Sequence, residues 1–364
     1  MRGLEITSSI VIALGVRVKF CGMSEKQNYL RLRDDASMRE IFEKRARIVQ
    51  GIRQFFIERQ FLEVETPMLV KLPGMEPYLD VFKTRFEPEH GEGKDMYLIT
   101  SPEYAMKKLL VGGLPRIFQI TRSFRNKETG GSLHNPEFTM IEWYRAEADY
   151  MHIMRDTEEL VKFLCLRLYN KESFVYQGKE IDVLGGFERV RVREAFERYA
   201  GVSREMFEDP ELLVVEACKR GYQAKTYDDA FFLIFLNEIE AKLGAERPVI
   251  LYEYPVSMAA LSRVCSHDSR YAERFEVYVA GLELANAFSE LADADEQRAR
   301  LVAEREERMV LGKEVYDVDE SFIEALRAGM PPSGGIALGV DRLVMLLLDE
   351  ASIEDVVFFP FRDL

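Results

Sequence analysis

The amino-acid sequence predicts an α+β fold, a large antiparallel sheet flanked by helices, and three observations carry that expectation. First, Phe42, Ala46, Val49, Ile52 and Phe56 recur at three- and four-residue spacing up to about Arg59, and Leu62, Val64 and Thr66 then alternate with Glu63 and Glu65 before Pro67. Second, the runs Ile117 to Phe124 and Phe138 to Arg145 flank a polar, glycine-bearing loop like the arms of a long hairpin. Third, strands are expected again at Val249 to Tyr254 and Arg274 to Leu284, after a block with helical spacing from Arg155 to Ala245. A chain of 364 residues with 47% hydrophobic content is long enough for one large domain or two medium ones.

Along the chain, residues 1–36 form an N-terminal extension and residues 37–364 the expected main domain. The apolar run Ile10 to Leu14 is too short to span a bilayer and lacks a signal-peptide layout, so no membrane association is expected. Met23 opens the polar stretch MSEKQNYLRLRDD, which leaves two readings: translation starting at Met23, with residues 1–22 not translated, or a genuine and poorly ordered tail. Ser37 followed by Glu40 matches a capping box at the start of the first helix. Residues 68–95 are loops around a short strand near Tyr78 to Phe86 and could cover a substrate. Tyr97 to Thr100 is expected as a strand, and SPEYAMKKLLVGG as a helix closed by Gly112 and Gly113. The 155–245 block is expected to be a mostly helical insertion. The charge run in the helix Ala294 to Leu311 is expected to be a solvated face.

A net charge of −14 argues against a protein that coats nucleic acid, because phosphate neutralisation needs a positive surface, although a local RNA site stays open. Cysteines 21, 165, 218 and 265 are scattered and the histidines at 90, 134, 152 and 267 do not join them in ligand spacing. All four are therefore expected to be buried structural thiols in a reducing cytosol, without a zinc site.

Several residue types could carry chemistry. Arg125 and Arg342 could converge on a polyphosphate, since guanidinium offers forked donors at all relevant pH values, and Phe138 could lie flat against a purine. Taken alone, they could equally be surface ion pairs and a core aromatic. Glu283 and Glu290 in GLELANAFSEL could hold Mg2+ near a triphosphate, or face solvent from a strand.

These pieces carry a resemblance. FRNKETGGSLHNPEFTMIEWY (residues 124–144) resembles motif 2 of class II aminoacyl-tRNA synthetases, LEVETP (62–67) motif 1 and GIALGVDRLVM (335–345) motif 3, in the family's order. From about Met38 to Leu364 the chain is similar to the lysyl-type catalytic core. The stretch before it is too short for that family's anticodon-binding barrel, so the resemblance is to the stand-alone paralogues that modify elongation factor P. GLELANAFSEL resembles the GxEIGNGFSEL run of lysyl synthetases, with Ala285 and Ala287 in place of Gly.

The resemblance implies roles. Ser101, Pro102 and Glu103 would contact the substrate amine, and Tyr144 with Glu290 would receive the side-chain ammonium. Arg125, Asn126, Lys127, Asn135, Phe138, Glu283, Leu284, Gly339 and Arg342 would bind ATP, with Arg125 and Arg342 catalytic and Glu283 and Glu290 on Mg2+. Lys127 stands where these enzymes often have Glu, in a 127–133 loop one residue longer than usual, so Glu128 could take the acidic role. Ala337, where lysyl synthetases have Gly, resembles the modifying paralogues and favours (R)-β-lysine over α-lysine; one methyl is worth about 1–3 kcal/mol. The implied activity is a two-step ligation: lysine is activated by ATP as an adenylate and passed to a lysine ε-amine of elongation factor P. A cytoplasmic homodimer is implied, and tRNA is not expected as a partner. The alternatives are a truncated lysyl-tRNA synthetase or amino-acid ligase with another acceptor, and an inactive regulatory paralogue.

Overall fold

The structure, a computed structural model, describes residues 27–128 and 131–364. The choice between Met1 and Met23 bears on residues outside the described ones, as do Cys21 and part of the 127–133 loop. The strands in chain order are β1 (Leu62–Glu63), β2 (Leu69–Val70), β3 (Lys83–Phe86), β4 (Lys94–Leu98), β5 (Arg116–Phe124), β6 (Glu137–Ala146), β7 (Ser173–Tyr176), β8 (Lys179–Asp182), β9 (Glu188–Arg191), β10 (Val249–Pro255), β11 (Tyr271–Val279), β12 (Leu282–Ser289) and β13 (Ser333–Gly339). The α-helices are α1 (Asn28–Asp34), α2 (Ala36–Glu58), α3 (Glu103–Val111), α4 (Tyr150–Tyr169), α5 (Val192–Ala200), α6 (Arg204–Glu208), α7 (Pro210–Lys219), α8 (Tyr227–Ile234), α9 (Ala294–Val310), α10 (Glu320–Arg327) and α11 (Val340–Leu348).

Eight strands form one open sheet in the order β1-β5-β6-β13-β12-β11-β10-β9, antiparallel from β5 to β10 with a parallel strand at each edge. No closed barrel occurs among the described residues. Because side chains alternate between faces, the strands sort their residues by chemistry. Phe118, Ile141, Trp143, Ile336, Leu338, Ala285, Ala287, Phe275 and Val277 form one apolar face, covered by α2, α4 and α11. The opposite face is apolar only at its margins. There α3, α9 and α10 pack near Ile117 and Tyr144, and α5 to α8 pack near Leu251, Tyr254 and Tyr278. The strip between these margins is polar and open.

Several local expectations change. The first long helix is capped by Asp35, whose extended backbone lets its carboxylate accept from the Ser37 N–H, so Ser37 lies inside the helix and no Ser37–Glu40 box forms. The alternation after Leu62 yields only two paired residues, parallel to Ile117 and Phe118. The expected strand Arg274 to Leu284 is two strands. Ala280 and Gly281, at φ 53° and 79°, supply the pair of left-handed residues that a two-residue hairpin turn needs, and an alanine in the first of them hides the turn from the sequence.

The 155–245 block contains strands as well as helices. The β7–β8 hairpin and β9 interrupt it, and α4 belongs to the main apolar core through Leu160, Val161 and Leu164. In α9 the charge run is not wholly solvated: the guanidinium of Arg308, fully buried, donates to the carbonyls of Glu76, Leu79 and Glu314. Cys165 and Cys265 are buried as expected, but Cys218 is exposed on α7.

Candidate active site

The polar strip is the floor of a cavity of about 610 Å³, within the range of small-molecule sites. Cross-strand register builds it in rows. Glu276, Asn286, Ala337 and Glu142 lie side by side across β11, β12, β13 and β6; the next row is Arg274, Phe288, Gly335 and Tyr144. Glu283 has the opposite parity, yet it too faces the cavity. A bulge leaves Leu284 unpaired between the Ala285–Val277 and Glu283–Tyr278 pairs and turns Glu283 over.

At one end the cavity is anionic. Ser101 donates to Glu142 at 2.5 Å and the Tyr144 hydroxyl donates to the same carboxylate at 2.8 Å. Burial, then the neighbouring Glu103, pushes the Glu142 carboxyl up to about 8 against those two hydrogen bonds. Lys107, one turn after Glu103 on α3, places Nζ 2.6 Å from Glu103 and 2.5 Å from Glu290. Burial raises the Glu290 carboxyl to about 7, although Lys107 opposes it. Glu290 Oε1 is buried without a hydrogen-bond partner beside the Tyr144 ring. A Cβ on Gly335 would lie 2.3 Å from both, so only glycine fits beneath them. Glu76 and Glu304 extend this acidic wall, and burial, with Glu76 next, raises Glu304 to about 8.

The other end is cationic. Arg342 stands in the first turn of α11, which Asp341 pins in place: its carboxylate meets Arg45 of α2 at 2.6 Å and accepts from the Thr139 N–H of β6 at 2.7 Å. The Arg342 guanidinium donates to the Glu283 carbonyl at 2.8 Å and lies 2.9 Å from His134 Nε2. Burial, then Arg342, lowers the His134 pKa, which leaves the imidazole neutral and able to accept. Arg125 lies over the Phe138 ring at 5.1 Å, and its buried Nε has no hydrogen-bond partner. Glu283 lines the cavity. Burial, and then Glu276, raises its carboxyl to about 7 against Arg342, Arg125 and Arg274.

The structure brings most of the expected residues to this cavity: Ser101, Glu103, Arg125, Asn135, Phe138, Tyr144, Glu283, Leu284, Glu290, Ala337, Gly339 and Arg342 all line it. Pro102 caps α3 behind the wall, and Asn126 is spent on a backbone bridge to Asp80. Lys127 points outward to Asp80 at 2.9 Å, while Glu128 lines the cavity 3.8 Å from Arg125. Gly339 contacts little, since an added Cβ would meet its nearest atoms at 3.8 Å; the cavity-lining glycine that packing demands is Gly335.

Glu283 and Glu290 cannot share one Mg2+. Seven strand residues at about 3.3 Å each separate them by roughly 20 Å, against Mg–O distances of about 2.1 Å. Glu290 is engaged by Lys107 instead, and the carboxylate beside Glu283 is Glu276. No group of three or more ligating side chains occurs among the described residues, but two carboxylates suffice where phosphate oxygens complete the shell.

Sequence reasoning missed Glu142, Glu276, Lys107, His134 and Glu304. Two of these were within reach: Glu142 is two residues before Tyr144 on the same strand face, and Lys107 is four after Glu103 on the same helix face.

Comparison with known proteins agrees with this architecture. The family model for tRNA synthetases class II (D, K and N) matches residues 22–363. The elongation factor P–(R)-β-lysine ligase of Haemophilus influenzae (strain PittGG) is 42% identical over 320 residues, 87% of this chain and 93% of that protein. The protein of the same name from Proteus mirabilis (strain HI4320) is 41% identical over 323 residues, covering 87% and 94%. A lysine–tRNA ligase from Magnetococcus marinus is 40% identical over 352 residues, 94% of this chain and 69% of that enzyme. The chain therefore belongs to the class II tRNA synthetase (D, K and N) family.

Proposed function

We propose that this protein activates lysine, in its (R)-β form, with ATP and transfers it to a lysine ε-amine of elongation factor P. The observation that carries the reading is a cavity with carboxylates at one end, Glu103 and Glu290, and guanidiniums at the other, Arg125 and Arg342. A substrate with two ammonium groups and one carboxylate fits that polarity, and analogues lacking an ammonium would leave a buried carboxylate unpaired.

The substrate carboxylate attacks the α-phosphorus of ATP, the bond to the bridging oxygen breaks, and pyrophosphate leaves. Arg125 and Arg342 offset the charge that develops on the phosphoryl oxygens, and Phe138 gives the purine a flat face. Glu276 and Glu283 would hold Mg2+, which when bound adds further neutralisation at the phosphates. Burial, and then Glu276, raises the Glu283 carboxyl, and a bound cation would favour its ionised form. The acceptor amine, once deprotonated, then attacks the adenylate carbonyl and AMP leaves.

The names of the two ligase relatives support the acceptor and the isomer, and the Ala337 methyl on the floor reshapes the space under the substrate's α-carbon. Exposed apolar residues around β1 and β2, Ile57, Leu62, Met68 and Leu69, support a homodimer through that face. No described helix is long and apolar enough to cross a membrane, and the reading places the enzyme in the cytoplasm with a protein rather than tRNA as acceptor. Intact-mass measurement of elongation factor P after incubation with this protein, ATP and each lysine isomer tests it. The expected result is one lysyl increment, larger in yield with (R)-β-lysine; no increment with either isomer would overturn it.

A further inference from the structure

We propose that Lys107 is a positioning residue that sets the charge of the amine-binding end of the cavity, so that this end accepts a dication. The inference rests on the reading of a two-ammonium substrate. Lys107 is a fully buried lysine, with its side chain 0% exposed, and two carboxylates from different elements hold its Nζ: Glu103 on α3 and Glu290 at the end of β12. The Phe322 ring of α10 lies 6.0 Å away on its apolar side. An ammonium in such a place loses its hydration, and a merely space-filling side chain would avoid that loss.

Two consequences follow from the contacts. Lys107 takes Glu290 by Oε2, which leaves Oε1 facing Tyr144 and the space above Gly335. It takes Glu103 by Oε1 and leaves that residue's other oxygen free. One internal cation therefore fixes which oxygen of each carboxylate meets the substrate.

The charge count gives the second consequence. Glu103, Glu142 and Glu290 carry three negative charges when ionised and Lys107 one positive, so the net charge is −2. Two substrate ammoniums neutralise it, while the substrate carboxylate goes toward Arg125. Without Lys107, three crowded carboxylates would face two cations, and one would keep a proton. Burial raises the Glu290 carboxyl and Lys107 is the largest influence opposing it. The charged or titratable groups around this cluster are Glu103 from α3, Glu142 and Tyr144 from β6, and Glu76 and Glu304 beyond Glu103.

Charge and shape are separable by two variants of the full chain, assayed by lysine-dependent ATP–pyrophosphate exchange. Lys107→Met keeps the volume and loses the charge. It should raise the lysine KM by about tenfold or more and shift the acid limb of 1/KM up by about one pH unit, with the ATP KM unchanged. Lys107→Arg keeps the charge and should stay within a few-fold of the parent with the parental acid limb. A Met variant with the parental KM and pH profile would overturn the proposal, as would two variants with a lower active fraction but unaltered lysine KM. If the Met variant does not melt cooperatively, the Arg variant decides alone: a shifted acid limb or a KM raised beyond about tenfold overturns it. Failure of the underlying reading is recognised separately, because the parent would then show no lysine-dependent exchange.

Discussion

Lowering the pH from 8 to 6 should weaken lysine binding by about tenfold or more. Two carboxyls at the anionic end are raised, Glu142 to about 8 and Glu290 to about 7, in both cases chiefly by burial. An incoming ammonium favours their ionised forms, so binding must expel the protons they hold. For one group of pKa 7 the apparent KM scales as 1 + 10^(7−pH), which falls about tenfold between pH 6 and 8. If Glu142 must also ionise, the fall approaches about 500-fold, so log KM should decline with a slope between one and two near pH 6.5. Above pH of about 10 the substrate loses its own side-chain proton and KM should rise again.

The sign for stability runs the other way. Neutral carboxyls favour the free fold at low pH, an advantage that starts to fade above the ordinary carboxylate range and is gone once pH passes 7 to 8. Lysine should therefore raise the melting temperature more at pH 8 than at pH 6. Lysine-dependent exchange from pH 6 to 9, with Glu290→Gln beside the parent, measures both parts. The variant should raise KM by about 100-fold and remove one proton step. A KM flat between pH 6 and 8, or a pH dependence unchanged in Glu290→Gln, would refute the reasoning.

Three further outcomes are expected. Gly335→Ala drives a Cβ to 2.3 Å from Glu290 Oε1 and the Tyr144 ring, so it should raise the lysine KM about tenfold or more and lower the melting temperature, with the ATP KM spared. Arg342→Ala removes the guanidinium held between Glu283 and His134 and should lower kcat for pyrophosphate exchange by about 100-fold or more. Ala337→Gly removes the methyl from the cavity floor and should shift the α-lysine to (R)-β-lysine preference, read as a kcat/KM ratio, by about 5- to 150-fold toward α-lysine.

What was legible in the sequence was local. The 3.6-residue spacing of α2 and the run that forms α3 with its closing Gly112 and Gly113 are properties of a few neighbouring residues, as are the arms of the β5–β6 hairpin, and each appeared where expected. Most expected site residues also reached the cavity, because Arg125, Tyr144 and Arg342 lie in recognisable runs. Glu142 and Lys107 lay within reach of local spacing; what lay beyond it shares one cause. The Glu276 contacts and the Lys107–Glu290 pair are made across strands or between a helix and a strand, and the bulge that turns Glu283 inward depends on the register of two strands.

The sequence alone determined the class of the fold and the kinds of charge available to the site, because periodicity and residue chemistry are carried by short segments. Only the tertiary structure decided which charges face one another. Pairing β6 with β13, β13 with β12 and β12 with β11 lines Glu142, Ala337, Asn286 and Glu276 into one row, and α3 brings Lys107 against Glu290, 183 residues later. Burial then does what no isolated peptide can: it strips water from those carboxyls and makes their protonation depend on their neighbours.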